Sequence, residues 1–132
     1  MVKIGSLHLP AALQRAIGEG RWKPPENASI VANIFGDEPD LVEFYDVEAM
    51  RAQNRVFQTK SQADIAEDVP GSDGGVGCDP SLAVIIGSLG ADMPIVLDYR
   101  HDQVRPRVIY LASEGWREIA RDFEALSRSL GV

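Results

Sequence analysis

Apolar residues recur at helical spacing near the start of the chain. Leu9, Leu13 and Ile17 are spaced four apart, which places them on one face of an α-helix. Pro10 suits the first helical turn, and Gly20 suits the position just after the last turn. The pattern therefore predicts a helix between these two residues.

Two more helices are predicted in the first half of the chain. Ile30 and Ile34 share a face within residues 27–35, which predicts a short second helix. Asp46 is a favoured N-cap residue, and apolar residues follow it at helical spacing: Val47, Met50 and Phe57. Residues 37–43, between these two helices, are predicted to form a loop or a short edge strand.

The second half of the chain changes to strand patterning. Residues 82–86, 94–99 and 107–111 are apolar, partly β-branched runs, and such runs are typical of buried strands. The segments between them are short enough to connect antiparallel neighbours, so we expect a meander of three consecutive strands. Residues 116–120 fit either a fourth strand or a helix, and residues 123–130 predict a closing helix.

Helices on both sides of a central sheet, without β–α–β alternation, indicate an α+β fold. The 132 residues match the size of one domain and bury enough surface to fold without a disulfide or a structural metal. We therefore expect a single domain over residues 1–132, with a largely antiparallel sheet, helices packed around it and a C-terminal helix that closes the core.

The sequence also indicates a reducing compartment. Cys78 is the only cysteine, so no disulfide can form within the chain. The first residues lack the apolar run of a signal peptide, and no stretch reaches the ~20 apolar residues of a membrane span. We expect a soluble, cytoplasmic protein with no membrane partner.

Residues 61–81 show no periodicity and contain several glycines and prolines, which predicts a long surface loop. Its glycine run, residues 71–77, is not followed by the lysine of a phosphate-binding loop. Calcium is not indicated either, because the alternate-residue spacing of a calcium loop is missing among its aspartates: Asp64, Asp68, Asp73 and Asp79. His8 and His101 stand apart from other ligand types, so we expect no metal and no cofactor.

Two arrangements could carry catalysis, and each has a simpler interpretation. Cys78 could act as a nucleophile, but the Asp79 carboxylate beside it would raise the pKa of the thiol. Asp98 and Asp102 could form a catalytic pair, but strand alternation places Asp98 and Arg100 on one face, where a charge pair is the simpler outcome. We therefore expect that the protein is not an enzyme.

Acidic charge is concentrated in the middle of the chain. The formal net charge is −7, and residues 37–79 alone hold eleven acidic and three basic residues. Such a field repels the phosphates of nucleic acid and attracts a basic partner. The same charge could instead serve solubility alone, and composition leaves that alternative open.

Several short motifs resemble those of the SUKH superfamily, which includes the yeast cell-wall-assembly regulator and many bacterial proteins. In chain order they are an apolar strand ending in glycine (Ile86-Gly87-Ser88), a strand carrying aspartate (residues 94–100), a strand (residues 106–110) before Trp116, and a closing helix with a phenylalanine near its start (residues 119–126). A weaker match lies in residues 44–50 and Asn54.

The resemblance implies an α+β domain without catalytic apparatus and, in bacteria, frequent service as an immunity protein that blocks a toxin, often a nuclease. We therefore expect a module that neutralises a basic toxin domain by direct binding. The expected contact residues are Asp37, Glu38, Asp40, Glu43, Asp64, Glu67 and Asp68. The alternatives are a regulatory interaction protein of the same fold without a toxin partner and, third, a small hydrolase.

Overall fold

The computed structural model describes residues 2–36, 41–58, 80–90, 93–112 and 115–131. Its elements in chain order are β1 (Lys3–Ile4), β2 (Leu7–His8), α1 (Ala11–Gly18), α2 (Ala28–Phe35), β3 (Glu43–Phe44), α3 (Val47–Phe57), a 3₁₀ turn (Pro80–Leu82), β4 (Ala83–Ser88), β5 (Pro94–Asp98), β6 (Arg107–Ala112), β7 (Gly115–Ala120) and α4 (Phe123–Leu130). The fold is α+β, as the hydrophobic pattern predicts.

Strands β3 to β7 form one sheet in which each strand pairs with the next in the antiparallel direction. Strands β4, β5 and β6 coincide with the three predicted apolar runs, so the predicted meander is confirmed. The segment that fitted either a strand or a helix is the strand β7, in which Trp116 opposes Leu111 of β6. The pairing of β6 with β7 runs from Val108 opposite Ala120 to Ala112 opposite Gly115.

Helices α2 and α4 begin and end where the capping residues predict, and α3 begins after the predicted cap Asp46. Helix α1 ends at Gly18, two residues before the predicted Gly20. The residue before each of α2, α3 and α4 caps its helix, because its side-chain oxygen accepts a hydrogen bond from a backbone N–H of the first turn. These residues are Asn27, Asp46 and Asp122. Gly36 and Gly131 follow α2 and α4 with φ angles of 82° and 74°. Glycine adopts such angles without steric cost, and it is therefore the usual residue at helix ends.

The larger core lies between one face of the sheet and the helices. The sheet contributes alternate residues of its central strands, which are Val84, Ile95, Leu97 and Val108. The helices contribute Leu13, Phe35, Met50, Phe123, Leu126 and Leu130. Burying each of these side chains stabilises the fold by about 1.5–3 kcal/mol relative to leaving it exposed. The predicted closure of the core by the C-terminal helix is confirmed.

A smaller core lies on the opposite face of the sheet. Its members are Phe57, Ala83, Ile85, Val96, Ile109 and Trp116. Strand residues alternate between the two faces, and this alternation explains why Val96 faces this core while its neighbours in β5 face the helices. The sheet is thus apolar on both faces, which fits continuous apolar runs better than strictly alternating ones.

A short N-terminal hairpin of β1 and β2 was not predicted from the sequence. Each strand has two residues, and Ile4 opposes Leu7 across a turn. Both side chains are buried in the larger core. The Tyr99 hydroxyl donates a hydrogen bond to the backbone oxygen of His8 at 2.6 Å, which fastens the hairpin to the end of β5. Two-residue strands are too short to show a periodic pattern.

Most of the loop predicted over residues 61–81 lies outside the described residues, and Cys78 and the aspartates named for that loop lie there as well. Pro80 and Ser81 belong to the 3₁₀ turn that leads into β4. Among the helices that the structure describes, none has both the length and the apolar character needed to cross a membrane.

Candidate partner-binding surface

Glu43 is the one predicted contact residue that lies within the described part of the chain. It is on β3, and its side chain is exposed. The other six fall outside the described residues: Asp37, Glu38, Asp40, Asp64, Glu67 and Asp68. The surface around β3 is therefore the part of the predicted acidic site that the structure describes.

β3 is the first strand of the sheet, and within the described ranges it pairs with β4 and with no second strand. Phe44 opposes Gly87, and the backbone N–H of Tyr45 donates to the oxygen of Ile86 at 2.9 Å. Hydrogen-bonded and non-hydrogen-bonded pairs alternate along an antiparallel ladder. Phe44 therefore directs its backbone N–H and C=O away from β4, toward the outer side of the sheet.

Gly87 lies where the backbones of β3 and β4 leave no room for a side chain. A Cβ atom added at this position would lie 2.6 Å from the backbone oxygen of Glu43 and 3.3 Å from Cδ1 of Ile95. The first distance is well inside van der Waals contact, so a larger residue would force the strands apart. Gly87 belongs to the first of the motifs that resemble the SUKH superfamily, and its role here is close packing.

An aromatic stack holds β3 on the side of the helices. The rings of Trp22 and Phe44 lie parallel, with centroids 4.1 Å apart and an interplanar angle of 17°. Phe123 of α4 meets Trp22 edge-on at 5.2 Å. Trp22 is 7% exposed, so the stack links β3 to the buried side of α4. The position of this edge strand is therefore fixed by packing as well as by its few ladder hydrogen bonds.

The amide side chains of Asn54 on α3 and of Gln58, the residue that follows α3, take the place of a strand along the remainder of the β4 edge. The Asn54 amide donates to the backbone oxygen of Ile85 at 2.9 Å and accepts from its N–H at 2.7 Å. Gln58, one turn later, donates to the oxygen of Ala83 at 2.9 Å. Asn54 is buried and also donates to the oxygen of Met50 at 2.7 Å. These contacts satisfy backbone groups that β3 is too short to reach.

The exposed side chains around β3 are acidic and apolar. Leu41 is 65% exposed, and the exposed carboxylates Glu43, Asp46 and Glu48 follow it closely in the chain. Residues 41–48 contain no lysine, arginine or histidine. Burial raises the pKa of the Tyr45 hydroxyl, a hydrogen bond with Ser88 opposes this rise, and the nearby Glu43 carboxylate adds to it. The three carboxylates within residues 41–48 contribute a formal charge of −3 to this part of the surface.

A second cluster of charged side chains lies across β5, β6 and β7. The buried Asp98 carboxylate accepts from Nε and Nη2 of Arg100 at 3.0 and 2.9 Å and from Nε of Arg107 at 2.8 Å. Nη1 of Arg107 also lies 3.4 Å from Glu118 of β7. Asp98 and Arg100 thus form the charge pair that strand alternation predicts.

This cluster keeps Asp98 ionised. Burial alone would raise the pKa of its carboxyl group, but hydrogen bonds from Arg100 and Arg107 outweigh the burial and lower the pKa. A carboxylate with its lone pairs occupied by two guanidinium groups is poorly suited to accept or release a proton in catalysis. The arrangement instead ties three neighbouring strands together.

Asp102 does not join Asp98 in a carboxylate pair. Its side chain is exposed in the β5–β6 connection, where it accepts hydrogen bonds from the backbone N–H groups of Val104 and Arg105 at 2.8 and 2.9 Å. These hydrogen bonds lower the pKa of the Asp102 carboxyl and shape the turn. His8 and His101 are exposed, and the described residues contain no group of three or more potential metal ligands.

No family model, curated protein or solved structure matches this chain. The SUKH resemblance therefore rests on the short motifs, whose residues the structure places in packing roles. Gly87 lies in the β3–β4 contact, Trp116 in the smaller core and Phe123 in the larger core.

Sequence reasoning missed three features of this surface. The Arg107–Asp98 contact could have been found, because the two residues flank a predicted hairpin and oppose one another in its register. The replacement of a strand by the Asn54 and Gln58 amides could not, because it depends on the tertiary position of α3. The exposure of Leu41 could not either, because an isolated leucine in a loop carries no signal of its own.

Proposed function

We propose that this protein is a non-catalytic binding module of the immunity type, which neutralises a toxin carrying a basic surface by binding it directly. The observation that carries the proposal is the exposed edge at β3, where Leu41 and the Glu43, Asp46 and Glu48 carboxylates are exposed and no basic residue intervenes. Apolar contact area combined with complementary charge is what a specific protein interface requires.

The mechanism that follows is occlusion. A nuclease must present a basic cleft to bind its nucleic acid, and an acidic surface docked over that cleft competes with the substrate phosphates. Long-range attraction accelerates the encounter, while apolar contacts slow dissociation. No group on the binding module has to react for the toxin to be silenced.

The hydrolase alternative has weaker support. Its strongest candidate group, Asp98, is ionised and fully engaged by two arginines. A regulatory interaction protein would share the same edge and differ only in its partner. A toxin is therefore the proposed partner, and binding to a partner that is not toxic would support the regulatory class instead.

The test uses the product of the gene adjacent to the one that encodes this chain. We expect the two purified proteins to form a stoichiometric complex in isothermal titration calorimetry. We also expect co-expression to restore growth to cells that express the neighbouring product alone. If the neighbour is harmless to cells but still forms the complex, the regulatory alternative is correct. If no complex forms, the immunity proposal is wrong.

A further inference from the structure

We propose that β3 is a docking edge for strand addition, and that its occupant is an extended segment of a partner protein with basic residues on one face and apolar residues on the other. This inference deepens the proposed function and rests on it for the identity of the partner, since it assigns how the acidic edge engages that partner. Strand addition obtains affinity from main-chain hydrogen bonds and specificity from alternate side chains.

The backbone at this edge is ready to accept a strand. The ladder register turns the N–H and C=O of Phe44 outward, and none of the hydrogen bonds between described residues uses them. The Trp22 stack and the close approach at Gly87 hold β3 in place. A pre-ordered edge loses little conformational freedom when a strand pairs with it.

The side chains of this edge determine the chemistry of the occupant. Alternation places Glu43 and Tyr45 on one side of the strand and Phe44 on the other, and the exposed Leu41 lies two residues before Glu43. In an antiparallel partner, a lysine or arginine opposite Glu43 would pair with its carboxylate, and its aliphatic stem would cover Leu41. The intervening residues of the partner would be apolar, because they lie beside the half-buried Val42 and Phe44.

The opposite edge of the sheet is protected against the same reaction. On β7, Arg117 and Glu118 are both exposed, and the β6–β7 register shifts at a bulge next to Ile109. Bulges and charges of both signs at an edge hinder strand addition. The acidic charge on β3 instead repels strands that carry negative charge and attracts a strand that carries positive charge.

The direct test uses a defined probe, the acetylated and amidated peptide Val-Lys-Val-Lys-Val-Lys-Val, titrated into the full chain and followed by NMR. We expect amide shifts centred on residues 42–44 and saturable binding. Glu43→Lys should weaken binding by at least about tenfold, because it places like charges together. The matched control Glu124→Lys makes the same charge change at an exposed position of α4, outside the acidic edge, and should have a much smaller effect.

Backbone methylation of the peptide separates strand addition from charge attraction. In the antiparallel arrangement the valine residues oppose Phe44, so their N–H groups point toward β3 and those of the lysines point away. Methylation of the valine nitrogens should therefore abolish binding, and methylation of the lysine nitrogens should leave most of it. Equal effects of the two methylations, or shifts spread evenly over all acidic residues, would show that the edge is not a strand-docking site.

The failure of this inference can be distinguished from failure of the proposed function. If the neighbouring-gene product binds wild type and Glu43→Lys equally well, and the peptide does not bind at β3, the docking edge is wrong and the binding function stands. If the peptide binds with the expected methylation pattern but the neighbouring product forms no complex, the docking edge stands and the proposed toxin partner is wrong.

Discussion

Asn54 illustrates how much a single polar side chain contributes to this fold. Its amide satisfies both backbone groups of Ile85 and is itself buried. Truncation to alanine leaves a buried N–H and a buried C=O without partners. We expect Asn54→Ala to lower the free energy of unfolding by about 2–5 kcal/mol. Urea denaturation measures this change, and Gln53→Ala, an exposed neighbour on the same helix, should have little effect. Equal stability of the two variants would contradict the strand-replacing role of the amide.

A second prediction at the residue scale concerns pH. The pKa of Asp98 is lowered in the folded protein because hydrogen bonds from its two arginines outweigh burial. A depressed folded-state pKa contributes stability that is present above the unfolded pKa of about 3.9. That contribution is lost as pH falls through the folded value. We therefore expect Asp98→Asn to destabilise the protein by about 3–5 kcal/mol at neutral pH, because it leaves two arginines without their carboxylate.

The same variant should lose this difference in acid. Urea denaturation at pH 7 and near pH 3 should show a smaller gap between Asp98→Asn and wild type at the lower pH. Glu124→Gln, which changes an exposed carboxylate of α4, should show a small gap at both values. A gap for Asp98→Asn that stays constant or grows toward acid would mean that its carboxyl is not held ionised by the arginines.

At the scale of elements, α4 is held to the sheet chiefly by its buried face. Phe123 is 1% exposed and lies among residues of the larger core. Its replacement by alanine removes most of an aromatic side chain from a packed site, and we expect a loss of about 3–5 kcal/mol. The denaturation midpoint of Phe123→Ala reports this loss. Glu124→Ala on the exposed side of the helix serves as the control, and a similar midpoint for both variants would contradict the packing.

The junction of β3 and β4 makes a separate prediction. Gly87→Ala places a Cβ atom against the backbone oxygen of Glu43, and backbone cannot move aside as a side chain can. We expect a cost of about 1–3 kcal/mol and faster hydrogen exchange at Tyr45, whose N–H bonds to β4. Gly18→Ala, at a position where an added Cβ meets nothing within 4 Å, should be neutral or stabilising. Unchanged exchange at Tyr45 would mean that β3 is not held by this contact.

Elements with strong local signals could be predicted from the sequence. Helix α3 combines the Asp46 cap with apolar residues at helical spacing, and β5 is a continuous apolar run. The N-terminal hairpin could not be predicted, because each strand has two residues and depends on the Tyr99 contact with His8. Strand β7 stayed ambiguous because its bulge breaks the alternation around Ile119. Local patterns determine long elements, whereas short ones are decided by tertiary contacts.

At the scale of the whole molecule, the composition of the candidate site could be predicted from the sequence, but its position in the fold could not. The acidic character of the middle of the chain is a property of composition and could be read directly. The placement of Glu43 on a sheet edge beside the exposed Leu41 depends on how β3 pairs with β4, and it could not be predicted from the sequence. Charge therefore leads to the expectation of a basic partner, while packing determines which part of that charge lies at the exposed edge of the sheet.

The acidic charge of the whole molecule leads to a kinetic prediction. If the proposed toxin is attracted by this charge, neutralising the seven predicted carboxylates should slow association and reduce its dependence on salt. These residues are Asp37, Glu38, Asp40, Glu43, Asp64, Glu67 and Asp68. Stopped-flow measurement at low and moderate ionic strength should show a fall in the association rate, while a change at the apolar Leu41 should act mainly on dissociation.

The matched control neutralises exposed carboxylates elsewhere, such as Glu19 and Glu124, and should alter association far less. If the charge serves solubility alone, the variant with all seven substitutions will aggregate more readily, but its association rate and salt dependence will equal those of the wild type. In that case the electrostatic part of the proposal is wrong.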